Sequence, residues 1–373
     1  MYTQSPDEGG AWFLNREDGQ IRFSINSLQW KNGQFSYTNY DSKGRPVESG
    51  VYTDVSGYLG TYVTSENVTD VTDPFNQSLK DLIDVLDGMT DANCSEVQNT
   101  VYDAYADTNE DGIPDDMVSS LPASIVNTYK PTFLSGNVYK TTNDNAITWY
   151  GYDIYGRVKW LVQDIAVLGA KTIDYVYNPI TGLVEYVHYQ KGESDEFIHW
   201  YTYDEANQLS MVRTAVDIQG PWETQAEYTY YETGELKRTE LAGGVQGLDY
   251  VYSLDGKLKS LNHPSLDPTM DTRSDGQAGD GNDLFGMQLD YHVGDYMRTS
   301  NTNIAQTQYG TDKLNGNIKG MRWKNASPLG GTEISEYVYE YDRNNWLKSA
   351  NFDPGSVGGN VVTTLPLSGT IMG

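Results

Sequence analysis

The sequence predicts a mainly β protein: an antiparallel β-hairpin repeat ribbon with a small, partly helical insertion. Three observations carry this. A short phrase recurs through the chain: two tyrosines one residue apart, an acidic or turn residue, then a glycine and an apolar residue. The turn glycines, or Asn207 in their place, fall roughly every 22 to 27 residues, a spacing typical of repeat architectures. The composition leans on 30 tyrosines and 37 glycines, residue types that favour strands and the turns between them.

Taken in order, residues 1–10 are polar and are expected to be loose. Residues 11–64 form the N-terminal strands and first repeat of the β body, with strands over Trp12–Leu14, Ile21–Ile25, Phe35–Tyr40, Val51–Tyr52 and Tyr62–Val63. Tyr37-Thr38-Asn39-Tyr40-Asp41 followed by Gly44-Arg45 is a loosened copy of the phrase. Residues 65–135 change character: they are rich in Asp, Asn, Ser and Thr. Leu79, Leu82, Ile83 and Leu86 have helical spacing and predict a helix over Gln77–Leu86. Further helices are predicted near Glu96–Tyr105 and Ser120–Tyr129, and the segment reads as one insertion.

Residues 136–350 are the repeat body. Its copies are Tyr150-Gly151-Tyr152-Asp153 with Gly156, Tyr175-Val176-Tyr177 with Gly182, and Tyr201-Thr202-Tyr203-Asp204 with Asn207. Tyr228-Thr229-Tyr230 with Gly234 and Tyr250-Val251-Tyr252 with Gly256 follow. A polar loop is expected over 262–283, then a strand over Leu284–Tyr291, a turn at Asn315–Ile318 and a strand at Met321–Trp323. The last copy is Tyr337-Val338-Tyr339-Glu340-Tyr341-Asp342 with Asn345-Trp346-Leu347, and 351–373 is a tail.

Strand side chains alternate with period two, so a Tyr-x-Tyr step puts two rings on one face. Asp153 and Asp204 suit turns because their carboxylates accept from nearby backbone amides. Glycine, and less readily asparagine, tolerates the left-handed backbone. Each unit is therefore a hairpin. One hairpin is marginal alone, so adjacent hairpins must pair edge to edge.

At these residues the chain resembles the YD-repeat, or RHS-repeat, family. Tyr152-Asp153-Ile154-Tyr155-Gly156-Arg157-Val158 matches the family phrase closely, and Tyr203 to Leu209 and Tyr341 to Leu347 match it with substituted turns. Asp283-Leu284-Phe285-Gly286, Leu289-Asp290-Tyr291 and Tyr309 to Ile318 resemble the large RHS-type proteins of Bacteroidetes. The resemblance implies a hairpin ribbon that spirals into a hollow shell, secreted or at the cell surface. In many relatives such a shell encloses a toxic C-terminal domain released by self-cleavage. The self-cleavage motif with its paired aspartates is not seen here. The chain reads as the opening part of a shell, a degenerate relative, or an adaptor-like protein. In Bacteroidetes such proteins can serve outer-membrane secretion or gliding machinery.

With 52 Asp and Glu against 25 Lys and Arg, the formal net charge is −27. That surface repels nucleic acid and anionic membranes and suits calcium or basic partners. Cys94 is the one cysteine, so no intrachain disulfide forms. No apolar run approaches about 18 residues, so no membrane-spanning segment is expected. The N-terminus lacks the basic and apolar regions of a signal peptide, and the chain reads as either whole or a fragment of a longer one.

The sharpest local chemistry is Asp107-Thr108-Asn109-Glu110-Asp111-Gly112-Ile113-Pro114-Asp115. Asp107, Asn109, Asp111 and Asp115 bring oxygen side chains at positions 1, 3, 5 and 9 of an EF-hand-type loop. Gly112 takes the sharp-turn position and Ile113 can offer its carbonyl. The loop is expected to hold Ca2+ in a structural role, although Val118 stands where a bidentate Glu is usual. The alternative is an acidic turn without an ion.

His188, His199, His263 and His292 lack partners at metal spacing, and Cys94 has no neighbouring base in sequence. Gly243-Gly244-Val245-Gln246-Gly247 is not a phosphate loop, as no Lys-Ser/Thr follows. The expected function is therefore non-catalytic: a scaffold that binds other protein chains in a larger assembly or encloses a polypeptide. The alternatives are an adhesin-like glycan- or protein-binding module and, less favoured, a glycosidase using paired carboxylates.

Overall fold

The computed structural model describes residues 1–5, 9–62, 73–86, 88–89, 92–267, 270, 283–296, 310–326, 334–353 and 363–366. It divides into two compact units: Met1–Val176 with Val187–Glu196, and Tyr177–Tyr186 with Phe197–Gly373.

In unit 1 the strands are β1 (Tyr2–Ser5), β2 (Gly9–Asn15), β3 (Ile21–Asn26), β4 (Gln34–Tyr40), β5 (Pro46–Thr53), β6 (Cys94–Tyr102), β7 (Val138–Thr142), β8 (Ala146–Tyr152), β9 (Val158–Ile165) and β10 (Gly169–Tyr177). Each pairs antiparallel with its neighbour in sequence. Between them lie α1 (Ser27–Lys31), α2 (Gln77–Lys80), α3 (Asp115–Ser120) and α4 (Ala123–Thr128). Strand β11 (Val184–Tyr189) is shared between the units.

Unit 2 continues with β12 (Phe197–Tyr203), β13 (Leu209–Ala215), β14 (Glu223–Tyr230), β15 (Leu236–Leu241), β16 (Gln246–Tyr252) and β17 (Leu258–Leu261). Then come β18 (Phe285–Asp290), β19 (Gly320–Asn325), β20 (Ser335–Tyr341), β21 (Leu347–Asp353) and β22 (Thr363–Pro366). From β12 to β22, consecutive strands again pair antiparallel. The mainly β, antiparallel hairpin architecture is the one the tyrosine phrase predicts.

One local geometry generates the hairpins. In β8–β9 the register shifts between Gly151 and Tyr152, which pairs with Val158. Asp153 N donates to Arg157 O and Gly156 N to Asp153 O, each at 3.0 Å. The Asp153 carboxylate accepts from Tyr155 N at 2.9 Å and Arg157 N at 3.0 Å. Gly156 has φ +77°, where a side chain is disfavoured. This is a tight turn followed by a left-handed bulge residue. The same closures recur at Asp41–Arg45, Asp204–Gln208 and Asp342–Trp346. Asn207 and Asn345 supply the positive φ, at 62° and 66°. Tyr231–Glu235 and Ser253–Lys257 keep the backbone closures without an aspartate.

Several elements differ from the sequence reading. Residues 2–5 are not loose: β1 pairs with β2. Glu96–Tyr105 is not a helix, because β6 is ribbon, paired on both sides, and its Val97, Thr100 and Val101 favour extended backbone. The helix expected over Gln77–Leu86 is the four-residue α2 followed by turns. The one expected over Ser120–Tyr129 is the shorter α4, and α3, which the sequence reading did not include, precedes it across Leu121 and Pro122. Tyr62 is not in a strand, and Val63 lies outside the described residues, as do most of the polar loop 262–283 and much of the tail. Within the tail, β22 pairs with β21.

The stretch read as one insertion is two excursions separated by β6. Residues 54–93 connect β5 to β6 and cover an apolar cluster of Phe23, Ile25, Trp30, Phe35, Tyr37, Tyr52, Phe75, Leu79 and Met89. Residues 104–135 connect β6 to β7, and their place in the ribbon is specific. Tyr102 pairs with Val138 after a register shift, Asp103 N donates to Asn137 O at 3.0 Å, and Gly136 N donates to the Asp103 carboxylate at 2.7 Å. Gly136 has φ +82°. Asp103 and Gly136 thus hold the positions of Asp153 and Gly156. The excursion replaces the two residues of an ordinary repeat turn.

Candidate functional site

The feature that recurs in both units is a tyrosine clasp between successive hairpins. In seven hairpins a tyrosine near the end of the outgoing strand donates its hydroxyl to a carbonyl at the start of the returning strand one hairpin earlier. In unit 1 these are Tyr40 to Ile21 O at 2.6 Å, Tyr102 to Pro46 O at 3.0 Å and Tyr152 to Val138 O at 2.8 Å. In unit 2 they are Tyr203 to Val184 O, Tyr230 to Leu209 O, Tyr291 to Leu258 O and Tyr341 to Ile318 O, at 2.8 to 3.0 Å. Burial pushes these phenols above their ordinary pKa, so each remains a donor. A cation from the preceding turn covers several of the rings: Arg16 on Tyr40, Arg45 on Tyr102, Lys257 on Tyr291 and Lys313 on Tyr341. Gly151 has a separate role. A Cβ there would sit 2.2 Å from the Trp160 ring, so only glycine lets the indole lie across the strand.

The second excursion is seated on the ribbon through both apolar and ionic contacts. Ile113, Met117, Leu121, Val126, Tyr129 and Leu134 pack with Tyr139, Trp149, Tyr152, Trp160 and Val162. Asp116, in the first turn of α3, receives Tyr139 OH, Lys140 Nζ at 2.6 Å and Trp149 Nε1 at 3.4 Å. Burial pushes the Asp116 carboxyl up, but the Lys140 and Tyr139 hydrogen bonds outweigh it and hold the group below the ordinary aspartate range. Burial and the Asp116 hydrogen bond drive the Tyr139 phenol strongly upward. Tyr129 OH donates to Asp174 at 2.7 Å, and burial pushes that phenol to about 12.

The loop singled out for calcium opens this excursion. Asp107 accepts from Asp111 N at 3.2 Å and Gly112 N at 2.8 Å, and Asp111 accepts from Ile113 N at 2.9 Å. Asn109 Nδ2 donates to Asp111 at 3.1 Å. Gly112 takes φ +78°. Asp115 turns elsewhere: its carboxylate accepts from the Thr108 hydroxyl at 2.6 Å and from Thr108 N. Ile113 is buried in the apolar cluster. Asp107, Asn109 and Asp111 therefore come together, and Asp115 does not join them. Among the described residues no group of three or more His, Cys, Asp or Glu side chains converges as a metal site.

In unit 2 the buried chemistry is ionic. Lys259 is fully buried between Asp290 at 2.7 Å and Asp295 at 2.9 Å, and Arg322 reaches Asp290 at 3.3 Å. Arg238 pairs with Asp249 at 2.7 Å and with Glu240. Asn262 extends the second of these groups, accepting from Asp249 N at 2.7 Å and donating to Asp283 at 2.9 Å. Burial raises the Asp290 carboxyl, yet Lys259 and Gln288 bring it below its ordinary value. The sequence reading missed this network: single charges in a strongly acidic chain give no pattern.

The histidines have local contacts, and His292 Nδ1 lies 3.1 Å from Val293 O. His188 lies 3.5 Å from Glu196, His199 stacks beside Tyr201, and His263 Nδ1 contacts the Ser265 hydroxyl. The Cys94 thiol donates to Met89 O at 2.8 Å. Among the described residues no helix is long and apolar enough to cross a membrane.

No family model matches the chain, and no curated protein matches it. Solved structures do. The crystal structure of TcdB2-TccC3 without the hypervariable C-terminal region shares 15% identity at a TM-score of 0.49, over 94% of this chain and 13% of that one. The TcdB2-TccC3 crystal structure shares 12% at 0.37, over 96% and 19%. A Photorhabdus luminescens Tc holotoxin pore with a mutation in TccC3 shares 13% at 0.36, over 96% and 18%. The chain spans less than a fifth of each of these chains.

Proposed function

We propose that this chain is a non-catalytic segment of a YD/RHS-type shell: a secreted or cell-surface scaffold that works within a larger assembly or encloses another polypeptide. Its place is with an outer-membrane secretion or gliding machinery of the Bacteroidetes kind. The carrying observation is the clasp. The same hydroxyl-to-carbonyl bond joins successive hairpins in both units. A chain built by repetition of one rung suits a wall rather than a single catalytic pocket.

The test is purification from the native source, with mass spectrometry of associated polypeptides and cryo-electron microscopy of the particle. A hollow particle holding a second polypeptide is the expected result. A lone 41.7 kDa monomer in the cytoplasmic fraction overturns the reading. The binding-module alternative rests on half-buried aromatic groups in unit 2, Tyr186 with Trp200 and Trp222, and Trp323 with Tyr337 and Phe352. Saturable binding on a glycan array would favour it.

A structural Ca2+ at Asp107, Asn109, Asp111 and the Ile113 carbonyl is part of this proposal. The left-handed turn at Gly112 and the inward-facing Asp107 and Asp111 support it. Joining them requires Asp115 to leave Thr108. Calorimetry with calcium, on the parent and on Asp107→Ala with Asp111→Ala, decides. Heat lost in the variant supports the ion, and equal heats near zero exclude it.

A further inference from the structure

We propose, independently of the shell role, that the face of β7, β8 and β9 in unit 1 is a peptide-docking surface, and that its ligand is residues 104–135 of this same chain, carried in cis as a removable module. The module leaves and rejoins the ribbon at a repeat turn. Asp103 and Gly136 already make the turn across its base, through Asp103 N to Asn137 O and Gly136 N to the Asp103 carboxylate. The Tyr102 clasp to Pro46 and the Tyr102–Val138 pairing complete an ordinary rung. Both points of departure are accessible, since Ala104, Ser135 and Gly136 are exposed.

The docking face reads a particular chemistry. Tyr139 OH, Lys140 Nζ and Trp149 Nε1 converge as three donors on one carboxylate, that of Asp116. Around them Trp149, Trp160 and Val162 take the apolar side chains of Met117, Leu121 and Val126. The recognised element is therefore an aspartate at the start of a short helix with apolar residues one and five positions on. Met117 is 0% exposed, so the helix inserts a side chain instead of resting on the surface. The module also carries its own internal closures, from Leu121 N to Met117 O and Tyr129 N to Ile125 O, both at 2.9 Å. A cavity-filling side chain beside a charge-reading site is the arrangement of a peptide hot spot.

The experiment keeps the full chain. Protease recognition sites are placed at Ala104 and Ser135 and both are cut under native conditions. The excised segment is expected to stay with the chain on size exclusion, with β6 and β7 keeping their hydrogen-exchange protection. A fluorescent peptide of residues 104–135 is expected to exchange into the nicked protein saturably, and the same peptide with Asp116→Asn to bind at least tenfold more weakly. Loss of protection in β6 and β7 on cutting, failure of the peptide to exchange, or equal binding of the Asp116→Asn peptide each overturns the proposal. A second variant removes 104–135 and bridges Asp103 to Gly136 with two residues. It is expected to fold with Trp149 and Trp160 emission shifted to the red, and the added peptide is expected to reverse the shift. An unfolded product, or no reversal, overturns the module.

Discussion

The two units make the same rung and fill the space against it with different emphasis. Unit 1 covers its ribbon with chain: two excursions lay Phe75, Leu79 and Met89 on one apolar cluster and Ile113, Met117 and Val126 on another. Unit 2 buries charge: Lys259 between Asp290 and Asp295, with Arg322 and the Arg238 pairs beside them. Apolar burial is non-directional and tolerates adjustment, whereas a buried ion demands its partner. The rung specifies pairing and register, and leaves the filling free. Unit 1 should therefore fail gradually under substitution and unit 2 abruptly.

The largest effect is expected where a buried charge loses its partner. Lys259→Ala removes the buried cation between Asp290 and Asp295 and leaves Arg322 on Asp290, and should destabilise unit 2 by about 3–5 kcal/mol in urea unfolding. Hydrogen exchange should place the loss in β17 and β18 and leave unit 1 protected. Met117→Ala, the corresponding change in unit 1, removes a fully buried apolar side chain and should cost about 3 kcal/mol. If Met117→Ala proved the costlier of the two, the contrast between the fillings would be wrong.

Acid tests the ionic side directly. Asp290 in unit 2 and Asp116 in unit 1 both have folded-state values below the ordinary 3.8. A depressed carboxylate adds stability that is full above the unfolded value and lost as pH falls through the folded one. Unfolding midpoints should therefore be flat well above 3.8 and drop as pH falls below it. Replacing Asp290 with Asn removes the depressed carboxylate and should flatten unit 2's share of that drop. A midpoint that rises on acidification would contradict the assigned direction.

Smaller effects probe what the units share. Tyr152→Phe in unit 1 and Tyr203→Phe in unit 2 each delete one clasp and should each cost about 1 kcal/mol. Equal losses would show that the clasp is one interaction repeated. A clear inequality would show that local filling sets its worth.

Much of the ribbon was legible because its signals are local. Tyr152, Asp153 and Gly156 lie within one turn, so phrase, turn and strand can be read together. What escaped was whatever distance or substitution hid. Asp103 and Gly136 form one repeat turn, but residues 104–135 stand between them, so the phrase is broken in sequence and whole in space. Arg16 takes the aspartate's position in an early turn, closing it through Arg16 N to Gln20 O, and a cation there carries no phrase to recognise. Strand β6 was misread as helix because its extended form depends on β5 and β7 pairing from both sides. The Asp107–Asp115 loop was legible as a turn that gathers Asp107, Asn109 and Asp111. That Asp115 is held by Thr108 depended on side-chain directions no spacing records.

The smallest expected effect asks whether turns with different residues are the same object. Asn207 in unit 2 holds φ +62°, and Gly156 in unit 1 holds φ +77° at the same place. Asn207→Gly relieves left-handed strain in the folded state but gives the unfolded chain more freedom, and each term is about 0.5–1 kcal/mol. The two oppose, so the net change should stay within about 0.5 kcal/mol. Gly156→Asn, the reverse exchange, should be as mild. Asn207→Val and Gly156→Val cannot be mild, because a branched side chain in this region costs about 1–2 kcal/mol with nothing to offset it. Thermal unfolding of the four variants measures this. Matched pairs across the units would make the turn a part independent of what fills the space beside it, and a Val variant as stable as its parent would mean that the turn had found another backbone.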